Sequence, residues 1–169
     1  MFKTILLPHD FSASAVRAEG YAAQLARTLG SRLVLCHVSD LPAGLDVGAL
    51  FQPEGQRTPA KVEEYVVGTA KERLEIRAQR LRAQGLTVTC RACMGDVAPT
   101  ILKEADEIGA DVIVMGTHGR KGLAHFLLGS VAEKVIREAN VPVLTVRHAE
   151  DEGVVETDEE TEMRDEMAG

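Results

Sequence analysis

Apolar residues in this chain fall into short unbroken runs, separated by longer segments where they recur at helical spacing. Lys3 to Pro8 (KTILLP), Arg32 to Val38 (RLVLCHV) and Ala110 to Gly116 (ADVIVMG) are such runs. Each has the length and continuity of a strand buried on both faces. Leu86 to Met94 (LTVTCRACM) alternates as a strand, and Val141 to Arg147 (VPVLTVR) is expected to be the last one. Between them, Ser12 or Ser14 can cap a helix with Ala15, Ala18, Ala22, Leu25 and Leu29 on its apolar stripe. Gly30 closes it where a left-handed residue costs little. A long helix is expected from Pro59 or Ala60 to about Gln84. Another starts at Ala98, with Pro99 in its first turn and Ile101, Leu102, Ala105 and Ile108 on one face. A last one runs from about Gly129 to Glu138. Leu41 to Pro59 is rich in Gly and Pro and reads as a long loop. Strands alternating with helices imply an open parallel sheet with helices on both faces.

Composition narrows the picture. With 169 residues, 45 % of them hydrophobic, the chain is long enough for one domain with a sizeable core. No apolar run approaches the ~18 residues of a membrane span, so no membrane role is expected. The opening MFKTILLPHD is expected to be a strand rather than a signal peptide. Three cysteines, Cys36, Cys90 and Cys93, suit a reducing cytoplasm better than a disulfide scaffold. The net charge of −7 is unevenly spread: residues 149–169 hold ten acids and only Arg164 as a base. The remaining 16 acids and 18 bases leave a body near +2. We therefore expect a domain over 1–148 and an acidic, disordered tail over 149–169, a balance that argues against nucleic acid as a partner.

The chemistry concentrates in Met115 to Val135, MGTHGRKGLAHFLLGSVAEKV, which has glycines at 116, 119, 122 and 129. In open α/β sheets ligands bind beyond the carboxyl ends of the strands, and the amides of a helix N-terminus favour phosphate. Gly116 ends a strand, Gly129-Ser130 opens a helix, and Arg120 and Lys121 lie between. Neither G-x-x-x-x-G-K-[ST] nor a post-strand G-x-G-x-x-G is present. Turning glycines followed by Ser130 as a ligand-free N-cap would account for the same residues.

The spacing Gly116-x2-Gly119-x9-Gly129-Ser130 resembles the nucleotide-binding motif of the universal stress protein family. ILLPHDFSASA, LCHVSD, MGDVAPTILKEA and ANVPVLTVR resemble the family in the same order, so the likeness covers residues 1 to 148. It implies a Rossmann-like domain of strand order 3-2-1-4-5 that binds ATP with Mg²⁺ or Mn²⁺. Pro8, His9 and Asp10 would line the nucleoside, with Asp10 on the ribose or on the phosphate-held metal. Val38 would offer its backbone to adenine. Met115, Gly116, His118 and Gly119 would flank the ribose and phosphates, with Arg120 adding charge. Gly129, Ser130 and Val131 would donate to the phosphates; Ala132 stands where some relatives carry a hydroxyl.

The resemblance also implies a homodimer through the Val141–Arg147 edge strand, an unknown client protein, and a nucleotide-dependent role in stress survival. A slow ATPase or other adenine-nucleotide hydrolase, with the phosphates near His9, His118 and Asp10, is one alternative, and a nucleotide-free interaction protein of the same fold is the other. Cys90-x-x-Cys93 lies inside a strand, so its side chains leave on opposite faces and read as structural. Neither His9 nor His118 has an evident acid partner, and the arginines of the long helix (Arg73, Arg77, Arg80, Arg82) read as a solvated face.

Overall fold

Ile5, Leu6 and Leu7 are fully buried because their strand, β1 (Thr4–Pro8), is the middle one of five. The computed structural model describes residues 2–40, 48–52, 58–117 and 128–147. β1 has β2 (Arg32–Ser39) on one side and β6 (Val112–Gly116) on the other, both parallel to it. β5 (Val88–Met94) lies outside β2, and β7 (Val143–Val146) outside β6, again parallel. The sheet order β5-β2-β1-β6-β7 is the expected 3-2-1-4-5 once the five long strands are counted in sequence.

Alternation along β1 divides the interior into two cores. Ile5 and Leu7 point to the face covered by α1 (Ala13–Leu29) and α2 (Val62–Ala83), where they join Leu33, Leu35, Leu74 and Val114. Leu6 points to the face covered by α3 (Val97–Ile108) and α4 (Ser130–Glu138), beside Val34, Cys36, Ile113 and Val135. The alanine stripe of α1 (Ala18, Ala22, Ala26) is at most 2 % exposed. The Ser12 hydroxyl caps this helix, accepting from the Ala15 N–H at 3.3 Å, and Gly30 ends it at φ 67°.

The structure corrects several boundaries. The expected loop over 41–59 contains β3 (Leu50–Phe51), which pairs antiparallel with β4 (Ala60–Lys61), so α2 starts at Val62. A two-residue strand is too short to leave a periodic signal. Gly129, not Ser130, is the N-cap of α4, and Ser130 is its first helical residue. β7 starts after Pro142, which has no N–H for a ladder; its carbonyl instead accepts from Ile113 N–H at 3.0 Å. The acidic tail lies outside the described residues.

Candidate functional site

The carboxyl ends of β1, β2 and β6 and the start of α4 converge, and the hydrogen bonds there show how. Thr117, just past β6, is 2 % exposed. Its N–H donates to Val146 O at 3.0 Å, and its carbonyl accepts the Gly129 N–H at 2.7 Å. Thr117 therefore fastens the first residue of the helix entry to the end of the sheet. Gly129 N–H is thereby committed inside the protein rather than left for a ligand. The amides of Ser130, Val131 and Ala132 belong to the first turn, which holds no acceptor for them within the helix, and Gly129 gives them no side-chain cap. These are the donors that the start of α4 offers an anion, with the positive end of the helix dipole behind them.

At the end of β1, Asp10 turns the chain into α1. Its Oδ1 accepts from Ser12 N–H at 3.0 Å and from the Ser12 hydroxyl at 2.5 Å. The carboxylate is thus oriented by the helix entry that it helps to build. Pro8 is buried and pairs in register with Cys36. Val38, half-buried near the end of β2, packs against the α3–α4 core together with Leu128 and Val131. Met115 is 5 % exposed in that same core. Pro8, Asp10, Val38, Met115, Gly116, Gly129, Ser130 and Val131 therefore all sit at the strand-end side of the sheet or at the start of α4. His118, Gly119 and Arg120 lie outside the described residues.

Two of the expected residues have structural roles of their own. A Cβ at Gly116 would stand 2.7 Å from Ser14 Oγ and 2.9 Å from the Ser14 carbonyl carbon. The space freed by that glycine is filled by the first turn of α1, so its lack of a side chain is a packing requirement. His9 turns its imidazole away from the strand ends and into the layer between α1 and α2, where its side chain is fully buried. His9 Nε2 lies 3.4 Å from Glu19 Oε2, and Nδ1 accepts from Phe11 N–H at 3.1 Å. Glu19 in turn receives Arg77 Nε at 2.5 Å. Burial raises the Glu19 pKa, but the neighbouring His9 imidazole and the Arg77 guanidinium outweigh it and hold the carboxyl below its ordinary 4.5.

This His9–Glu19–Arg77 chain went unread in the sequence, where His9 had no visible acid partner. Nor is Arg77 part of a merely solvated face, and Arg73 stacks 3.8 Å above the Phe11 ring. Phe11 holds a φ of 67°, the one positive value for a non-glycine among the described residues, and its ring lies between His9 and His37. His37 is buried, its Nδ1 2.7 Å from the His9 carbonyl oxygen. Cys90 packs on the α1–α2 side, whereas Cys93 donates to Glu104 on α3, so the two leave on opposite faces as expected.

At the far edge of the sheet, Leu144 of β7 is 44 % exposed. With Arg17, Tyr21, Thr145, Val146 and Arg147 it lines a shallow cavity of about 300 Å³. No helix among the described residues is long and apolar enough to cross a membrane.

Comparison with known proteins bears on the whole of this arrangement. The family model described as the universal stress protein family matches residues 1–147. A universal stress protein of Thermus aquaticus is 37 % identical over 153 residues, spanning 87 % of this chain and all of its own. One from Methanocaldococcus jannaschii is 31 % identical, covering 87 % of this chain and 96 % of that one. The solved structure of that archaeal protein aligns with a TM-score of 0.70 over 89 % of this chain and 99 % of its own. A universal stress protein of Archaeoglobus fulgidus, solved in complex with dAMP, is 25 % identical with a TM-score of 0.59, over 86 % and 98 % of the two chains. The chain belongs to the universal stress protein family.

Proposed function

We propose that this protein binds an adenine nucleotide, ATP in the first place, across the carboxyl ends of β1, β2 and β6. The observation that carries the reading is the start of α4. Three first-turn amides, at Ser130, Val131 and Ala132, are presented beside the strand ends without a side-chain cap. That array suits a phosphate chain. Val38 supplies backbone for the base, and Asp10 supplies a carboxylate for the ribose or for Mg²⁺ or Mn²⁺ carried by the phosphates. The dAMP complex of the archaeal relative supports an adenine nucleotide as the ligand class. Occupancy then acts as a signal in the stress response, read by a client protein from a homodimer joined through β7. Leu144, exposed on the edge strand, supports that pairing. The burial of His9 gives no support to hydrolysis through its imidazole.

The test is mass spectrometry of whatever nucleotide is released on denaturing the freshly purified protein, beside Gly129→Val. The observed φ of −72° and ψ of 150° at Gly129 are accessible to valine, so the variant is expected to fold. Its branched side chain would crowd the phosphates. We expect ATP from the wild type and at least tenfold less from the variant. Release of no nucleotide, together with no thermal shift on adding ATP, would sink the reading in favour of a nucleotide-free interaction module.

A further inference from the structure

Cys90 and Cys93 read as a pair in the sequence, but the sheet gives Cys93 a different partner. Along the β2–β5 ladder Cys36 stands opposite Arg91, and Cys93 stands opposite Val38. Residues two apart on a strand share a face, so Cys36 and Cys93 are diagonal neighbours beneath α3. Glu104 descends onto them from that helix. It is 5 % exposed and shares the helix's buried stripe with Ala98, Ile101 and Ala105. The two sulfurs and a carboxylate oxygen of Glu104 all lie within 4.8 Å of one another. Cys93 Sγ donates to Glu104 Oε1 at 3.2 Å.

A carboxylate in an apolar helix stripe carries a desolvation cost of several kcal/mol unless its charge is compensated. Arg91 compensates it, pairing with Glu104 and reaching Glu107 Oε2 at 3.0 Å. Glu104 Oε2 faces Arg91 Nε in this pair, while Oε1 takes the Cys93 thiol. The arginine accounts for the buried charge, but not for two thiols gathered within 4.8 Å of one carboxylate oxygen and of each other.

We propose that Cys36, Cys93 and Glu104 form a binding site for a thiophilic d¹⁰ cation, with Zn²⁺ as the representative ion. Bonds of about 2.3 Å to sulfur and about 2.0–2.2 Å to oxygen put the donors of a tetrahedral ion roughly 3.5–3.8 Å apart. The three donors are already near that spacing, and side-chain adjustments of no more than about 1 Å complete it. Water takes the fourth position. Binding replaces two thiol protons by one divalent ion, 2 RSH + M²⁺ → M(SR)₂ + 2 H⁺, so the net charge beneath α3 does not change. Arg91 balances Glu104 both before and after. Thiolate donors select Zn²⁺ over the hard Mg²⁺ and Mn²⁺ that accompany phosphates. A direct disulfide does not fit, because diagonal Cα atoms on adjacent strands stand roughly 8 Å apart, beyond the ~7 Å that the bond tolerates.

The full-length protein, reduced and stripped with a chelator, is titrated with Co²⁺ and then with Zn²⁺. We expect one Co²⁺ per chain, a thiolate-to-cobalt charge-transfer band, displacement by Zn²⁺, and about two protons released per ion in weakly buffered solution. Cys93→Ser, Cys36→Ser and Glu104→Gln should each weaken binding at least about tenfold, with circular dichroism confirming the fold. Cys90→Ser, on the opposite face, should leave binding unchanged. Should the fully buried Cys36→Ser fail to fold, the half-buried Cys93→Ser still carries the comparison. Absence of stoichiometric binding by the reduced wild type overturns the proposal. So does binding at wild-type affinity in the cysteine variants that fold.

Discussion

Glu19 shows how one side chain can be shaped by three parts of the chain. It lies on α1, faces the histidine just past β1, and takes its shortest contact from Arg77 on α2. Its carboxyl is held below the ordinary value of 4.5, so the folded state binds a proton less readily than the unfolded one. The stability that this chain of contacts supplies is therefore complete above about pH 4.5 and is lost as pH falls through the lower, folded value. Glu19→Gln should cost about 1.5–3 kcal/mol at pH 7, the range for hydrogen bonds to charged groups. Urea unfolding over a pH series should show the gap to wild type closing below pH 4.5. None of these partnerships was legible beforehand. Residues 9, 19 and 77 have no sequence relation, and the Phe11 N–H that holds the imidazole lies in a turn that no local pattern announces.

Elements meet where a side chain is missing. The first turn of α1 lies against the end of β6 because Gly116 has no Cβ, and one of the atoms that an added Cβ would meet is backbone. Backbone cannot yield by changing rotamer, so Gly116→Ala must shift the helix. We expect a loss of about 1–3 kcal/mol in urea unfolding, of the same size with and without ATP, since the clash is internal. A loss confined to ATP binding would instead restore this glycine to the nucleotide cradle. The element boundaries divide in the same way between local and non-local causes. The Ser12 cap and the Gly30 stop of α1 could be read from the sequence because caps are local chemistry. The β3–β4 ribbon could not, because two residues per strand carry no period and the pairing is all that defines it. At the start of α4 the glycine-serine step was legible, but the Thr117 carbonyl that takes up the Gly129 N–H was not. Nothing marks a threonine after a strand-ending glycine as an anchor.

For the whole molecule, the sheet has one outer strand, β7, that is short and partly apolar on its surface. Leu144→Lys would put a charge onto that edge. If the homodimer forms there, light scattering with size exclusion should show a dimer for wild type and a monomer for the variant, with ATP release unchanged. A dimer that persists would move the interface elsewhere. The architecture itself was determined by the sequence alone. Runs such as ILLP, RLVLCHV and DVIVMG can be buried only between two helical layers, and the helix-period segments between them supply those layers. The glycine spacing and the matched segments carry the family resemblance, and the strand order came with that resemblance rather than from the runs themselves. Only the tertiary structure decided which side chains share a site. It turned His9 toward Glu19, filled the space at Gly116 with Ser14, and parted Cys93 from Cys90 to set it beside Cys36 and Glu104. The physical reason is range: burial pattern and caps act over a few residues, whereas these contacts join strands and helices tens of residues apart and exist only after the sheet has formed.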